Sequence, residues 1–400
     1  MPTILPYCNL FPSVVGDIFR QSAENSCVRH SVLSVSSMIA DYRLRRSLDR
    51  FEYQYITTLQ LIQSSLQKGR IDEGIAIAVY LMLCIDTVRA DLETARKHLS
   101  GLFLVLQELQ RKPILSFCGD YGPITNVSPL MMHIWRVSIK IDWTASLYLV
   151  EPPILPPIPA SEEFHRQWIT KSAFGTDADW ALTAFSLDNL IHKACHFAAQ
   201  VRSIRLSNYS LEVEKRVTSL VAILEKGIKE WDCRPLIQKA EQEEAAAQLL
   251  GNPGDAFLDY EPLCISNPFY CNLRNAWRAL SIYTSLILNP RIGPWPRQRF
   301  RHAVEICRTL TALGPGDTSY CEFGKLWVIL LAGVTFGGPG LPREKEWISQ
   351  RMEYITTRFP VNDRRKRNVD KFTSYAEICE VEGDFWEELY KRRNRSRSQG

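Results

Sequence analysis

The eleven residues from Ile75 to Ile85, IAIAVYLMLCI, carry no charged side chain. As a helix they span roughly 16 Å at about 1.5 Å per residue, about half the ~30 Å needed to cross a bilayer. A run this apolar and this short is not a membrane span and calls for an apolar partner. The stretch that follows supplies one cover: Leu92, Ala95, Leu99, Leu102, Leu106 and Leu109 fall at alternating steps of three and four, with Lys97, Gln107 and Glu108 on other faces. This is the pattern of an amphipathic helix, and it predicts an antiparallel hairpin over residues 71–109. Asp86 to Asp91 reads as a short polar turn, Asp91 as the N-cap of the second arm, and Glu93 as a favourable charge near the positive end of its dipole. Gly101 costs about 1 kcal/mol relative to alanine inside a helix, so a close backbone approach is expected there. His98, alone on its helix, reads as solvated or satisfied.

The same periodicity extends through most of the chain. Met1 to Phe19 is apolar but interrupted by Pro2, Pro6 and Pro12, so the first helix is expected over 27–46, with Val28, Val32, Val35, Ile39 and Tyr42 on one face. Helices follow over 51–67 and, after Pro113 and a loop holding Gly119, Gly122, Pro123 and Asn126, over 131–150. Five prolines between Pro152 and Pro159 predict an extended connector, because proline lacks an amide proton and keeps its predecessor out of the helical region. Residues 181–231 return to helical spacing, ending in LEKGIKEW, and 241–250 reads as the exposed tail of a further helix. Leu273 to Leu288 keeps Trp277, Leu280, Tyr283 and Ile287 in step. No strand alternation and no internal repeat of 20–50 residues interrupts this pattern.

Composition narrows the functional classes. Four hundred residues with 46% hydrophobic content can bury a large core. With 48 basic against 44 acidic side chains, the balance of +4 does not describe a protein that coats nucleic acid, so any basic function is local. The 11 cysteines are scattered with no C-x-x-C, and no charged segment followed by an apolar core opens the chain; an intracellular, reducing compartment is implied. The longest apolar runs, 75–85 and 326–336, are too short for a membrane span.

Several of these segments together are similar to the fungal-specific transcription factor domain, the regulatory region of fungal zinc binuclear cluster activators. The similarity rests on the hairpin with His98, Leu99 and Gly101, on SVLSVSSMIADY, on IDWTASLYLVEPPILPP, on LEKGIKEW and on the stretch from Cys307 to Met352. In that last stretch Leu326, Trp327, Ala332, Gly333, Arg343 and Trp347 stand at the places of the family's signature, and Val328 replaces its usual proline. The closing DFWEELY, Asp384 to Tyr390, is similar to the family's terminal helix, so the likeness spans about residues 10–390. It implies an all-α, multi-helical array of helix hairpins forming one large regulatory domain over 1–390, while the charged, apolar-poor residues 391–400 read as a basic disordered tail. It also implies a nuclear transcription regulator that works through coactivators or other regulators, as a homo- or heterodimer, either standing alone or as the remainder of a longer factor. The alternatives are a sensor of a small hydrophobic ligand, for which 10 Trp and 15 Tyr could line a site, and a helical enzyme of specialised metabolism.

The family's DNA-reading module does not accompany the resemblance. A binuclear zinc cluster needs six closely spaced cysteine thiolates, whereas Cys264 and Cys271 form an isolated pair, so direct sequence-specific DNA binding by this chain is not expected. His192 and His196 have the i, i+4 spacing of zinc ligands, but Lys193 stands where a zincin carries glutamate, and the pair reads as packed or solvated. GGPG at 337–340 lacks the lysine and the strand-then-helix context of a phosphate loop. No nucleophile elbow, H-E-x-x-H or aspartate-rich cluster appears, so no cofactor, metal, catalytic residue or membrane partner is assigned and the chain reads as a non-enzyme. Two basic clusters remain as candidate nuclear localisation signals: Arg364, Arg365, Lys366, Arg367, and Lys391, Arg392, Arg393, Arg395, Arg397.

Overall fold

A computed structural model describes residues 12–44, 47–89, 91–111, 129–149, 151–156, 178–205, 211–251, 254–288, 295–314, 321–336 and 342–358. All regular structure among the described residues is helical, in thirteen helices, and the expected all-α array of hairpins is what the chain adopts. Pro113, the loop at 119–126, Pro157 to Pro159, GGPG, DFWEELY and both basic clusters, for which the sequence carries expectations, lie outside the described residues.

The helix that holds the apolar run, α4 (Glu73–Val88), is the hub. Asp72 caps it, its carboxylate accepting from the Ile75 amide at 2.9 Å, and every residue from Ile75 to Ile85 is buried. No amphipathic face is needed because α4 is surrounded: α2 (Ser26–Arg43), α3 (Asp49–Gln67), α5 (Leu92–Arg111) and α6 (Pro129–Leu149) all pack on it. The leucine stripe of α5 is fully inward, with Leu99, Leu102 and Leu106 essentially inaccessible, and Asp91 caps α5 as expected, accepting from the Thr94 amide at 3.2 Å.

Three expectations about this half need correction. A helix α1 spans Pro12–Glu24, ahead of the first one expected; Pro12 begins it, where a missing N–H costs nothing, and Val14 and Ile18 are buried one turn apart. Asp86 is not in a turn, since α4 continues to Val88 and the carboxylate is buried. No backbone approaches Gly101: a Cβ built there meets nothing within 4 Å.

The second half begins with α7 (Ala178–Arg205) and continues through α8 (Leu211–Asp232), α9 (Pro235–Leu250), α10 (Pro268–Leu288), α11 (Trp295–Ala312), α12 (Cys321–Thr335) and α13 (Pro342–Arg358). As expected, α9 runs out exposed along its C-terminal half. Buried Trp327 to Ala332 make α12 the counterpart of α4, packed by α10, α11 and α13. The halves join where α6 lies against α7 and α12, and there Trp143 meets Trp327 edge to face at 5.1 Å. No helix among the described residues is long and apolar enough to cross a membrane.

Candidate functional site

The most concentrated buried polar chemistry lies at the α6/α7 seam, around Asp142. This carboxylate is fully buried, and an isolated ion there would cost several kcal/mol. Three donors satisfy it. The amides of Ile154 and Leu155 reach its two oxygens at 2.9 and 2.8 Å, and His192 Nε2 reaches Oδ2 at 3.0 Å. Residues 151–156 therefore run as a strap over the seam, and their prolines suit the role because an extended backbone leaves the Ile154 and Leu155 amides free to be gripped. His196, one turn along α7, donates Nε2–H to the Leu155 carbonyl at 2.8 Å and meets the His192 ring edge-on at 4.7 Å. Burial and the neighbouring His192 push the His196 imidazole below its ordinary value. Arg96 of α5 ties the other end of the strap, pairing with Glu151 at 3.1 Å and donating to the Pro152 carbonyl at 2.9 Å.

The sequence alone shows the i, i+4 histidines but not what they hold. Both ring nitrogens that would face a metal face Asp142 and a carbonyl instead. Among the described residues no group of three or more His, Cys, Asp or Glu side chains is placed to hold a metal ion. Arg96 carries no sequence signal of its role. Asp142 does carry one: an acid inside IDWTAS, flanked by residues that are buried, has to find donors elsewhere in the fold.

A second polar knot ties α3, α4 and α5. Tyr55 Oη donates its single proton to buried Asp86, at 2.9 Å to Oδ2. His98 Nε2 lies 3.1 Å from the Tyr55 oxygen and 3.2 Å from Asp86 Oδ2 and shares its own proton between them. Burial and the Asp86 charge push the Tyr55 phenol far above its ordinary value, so it remains a donor. His98 is thus a satisfied histidine rather than a solvated one.

The second half is tied by arginines of α10. Arg274 pairs with Asp232 and with Glu241 at 3.1 Å while stacking on Trp277 at 4.2 Å. Arg278 reaches Asn275, Thr309 and Glu305. Burial, with these cations adding to it, pushes His302, edge-on to Trp277 at 5.5 Å, down to about 4. In α6, His133 hydrogen-bonds Tyr80 at 3.0 Å, and burial pushes it down to about 3.

The residues that carry the family resemblance sit within the same framework. Trp231 donates its indole N–H to the Thr183 carbonyl at 3.0 Å, Trp327 packs on Trp143 beside Asp142, and Trp347 meets Phe257 edge to face at 5.0 Å. Arg343 pairs with Asp259 at the surface. Comparison of the chain with protein-family models, with curated proteins and with solved structures finds no match in any of the three.

Proposed function

We propose that the chain is a transcription-regulatory helical domain, of the kind that accompanies fungal zinc binuclear clusters, acting through partner proteins or as part of a longer factor, with no such cluster within these 400 residues. The observation that carries this reading is the placement of the resemblance: His98, Asp142, Trp231, Trp327 and Trp347 each join one helix to another segment of the chain, as residues defining a regulatory scaffold would. A non-enzymatic role is favoured by how the acid–base groups are used. Asp142, His192 and His196 are engaged in holding the strap, and Asp86 and His98 in holding Tyr55. The basic tail from Lys391 to Arg397 directs the domain to the nucleus.

The test is acute depletion of the full-length protein in the cell that makes it, followed within minutes by sequencing of nascent transcripts. A coherent set of genes whose synthesis changes before any metabolite pool does supports the reading. Altered metabolites with unaltered nascent transcription contradicts it and favours an enzyme.

A further inference from the structure

The link between α2 and α3, residues 44–48, carries an exposed serine in a strongly basic stretch. Four arginines, Arg43, Arg45, Arg46 and Arg50, stand within four positions of Ser47, in a chain whose basic and acidic side chains nearly balance. The acids close to it, Asp49 and Glu52, both follow it, so the stretch that leads up to Ser47 from Arg43 is purely basic in charge. No other exposed serine among the described residues has more than two basic neighbours within four positions. Ser47 lies outside both helices, where its hydroxyl donates to Asp49 Oδ2 at 2.5 Å and meets the Asp49 amide only at 3.5 Å. Leu48, the N-cap of α3, offers the first amides of that helix no side-chain acceptor.

We propose that Ser47 is a phosphorylation site for a basophilic serine/threonine kinase, one whose peptide-binding cleft is lined with acidic side chains. Charge complementarity selects that class: an acidic cleft attracts Arg43, Arg45 and Arg46, whereas a basic cleft, suited to substrates flanked by acids, repels them. In the reaction Ser47 Oγ attacks the γ-phosphorus of a magnesium-bound nucleoside triphosphate. The bond from that phosphorus to the β,γ-bridging oxygen breaks, the hydroxyl proton passes to the kinase's base, and the nucleoside diphosphate leaves. The product places about −2 of charge just ahead of the positive end of α3, in a segment that carries four arginines. It also ends the hydrogen bond to Asp49, because the esterified oxygen has no proton to donate and the phosphate repels the carboxylate. The new charge therefore acts on the junction of α2 with α3, the hairpin that packs on α4. The inference stands on this link and is independent of the transcriptional reading.

The experiment incubates the full chain and magnesium ATP with a panel of purified basophilic kinases and, separately, with a panel of acidophilic ones, and follows Ser47 by peptide mass spectrometry. The basophilic panel is expected to fill Ser47 in the folded chain and the acidophilic panel to leave it bare. The double variant Arg45→Gln, Arg46→Gln, checked for a wild-type circular dichroism spectrum and melt, should be filled at Ser47 severalfold more slowly, while Ser396 and Ser398 in the tail, which have arginines of their own, are filled at the wild-type rate. In the chain isolated with phosphatase inhibitors from the cell that makes it, the peptide holding Ser47 is expected to carry phosphate. Ser47 untouched by every basophilic kinase, equal filling by both panels, a rate unchanged in the double variant, or a Ser47 peptide free of phosphate in the cell overturns the proposal.

Discussion

Replacing Asp142 with asparagine keeps the size and shape of the side chain and removes its charge and one acceptor. With the amide oxygen at the Oδ2 position, Leu155 N–H and His192 Nε2–H keep an acceptor, although each bond loses its charge assistance. Ile154 N–H then faces an NH2 group. Leaving that buried donor unmatched costs about 1–3 kcal/mol, and weakening two charge-assisted bonds costs about 1 kcal/mol each. The sum, roughly 3–5 kcal/mol, matches the usual cost of breaking a buried ion pair and is a large part of a typical ~5–15 kcal/mol. Urea unfolding of wild type and Asp142→Asn measures the loss. Hydrogen exchange of peptides covering 151–156 locates it, since the Ile154 amide loses its acceptor and the Leu155 bond is weakened. A loss below ~1 kcal/mol with unchanged exchange at the strap would refute the claim that Asp142 clamps it.

Three further outcomes follow from the same structure. Leu102→Ala, at a fully buried position between α5 and α4, should cost about 2–5 kcal/mol; a wild-type melt would return the leucine stripe to a surface role. His302 is held down to about 4 in the folded chain against about 6.5 when unfolded, so only the unfolded state takes up its proton between those values. Stability is therefore unaffected by this group above pH ~6.5 and falls as pH drops toward 4, and His302→Gln should flatten that slope by up to ~1.4 kcal/mol per pH unit; equal slopes in urea titrations would contradict the assignment. Alanine at Lys391, Arg392, Arg393, Arg395 and Arg397 should spread a fluorescent fusion into the cytoplasm, and an unchanged nuclear signal would transfer the role to Arg364 to Arg367 or to a partner.

The helices were legible because their signals are local. The α4 run, the α5 stripe and the Asp91 cap are each set by residues within a few positions of one another, and each reads correctly from spacing alone. The missed α1 was obscured by a true rule with an exception: proline breaks a helix interior but suits a first turn. An acid after an apolar run ordinarily ends it, so spacing alone puts Asp86 in a turn; here Tyr55 and His98, 31 and 12 residues away, make its burial possible. The strap was legible as extended chain, but its clamp was not. Asp142, His192 and Arg96 are about fifty residues apart in sequence, and only the packing of α5, α6 and α7 brings them to one place.

The central claim is that this domain changes transcription through other proteins once it is brought to a promoter. The most direct measurement fuses the full chain to an unrelated DNA-binding module and reads a reporter carrying that module's site, with Asp142→Asn as a destabilised control at matched protein level. The account predicts a severalfold change in reporter output, up or down, with wild type and a reduced change with the variant. Output indistinguishable from the DNA-binding module alone, with the wild-type fusion folded and bound at the promoter, would contradict it.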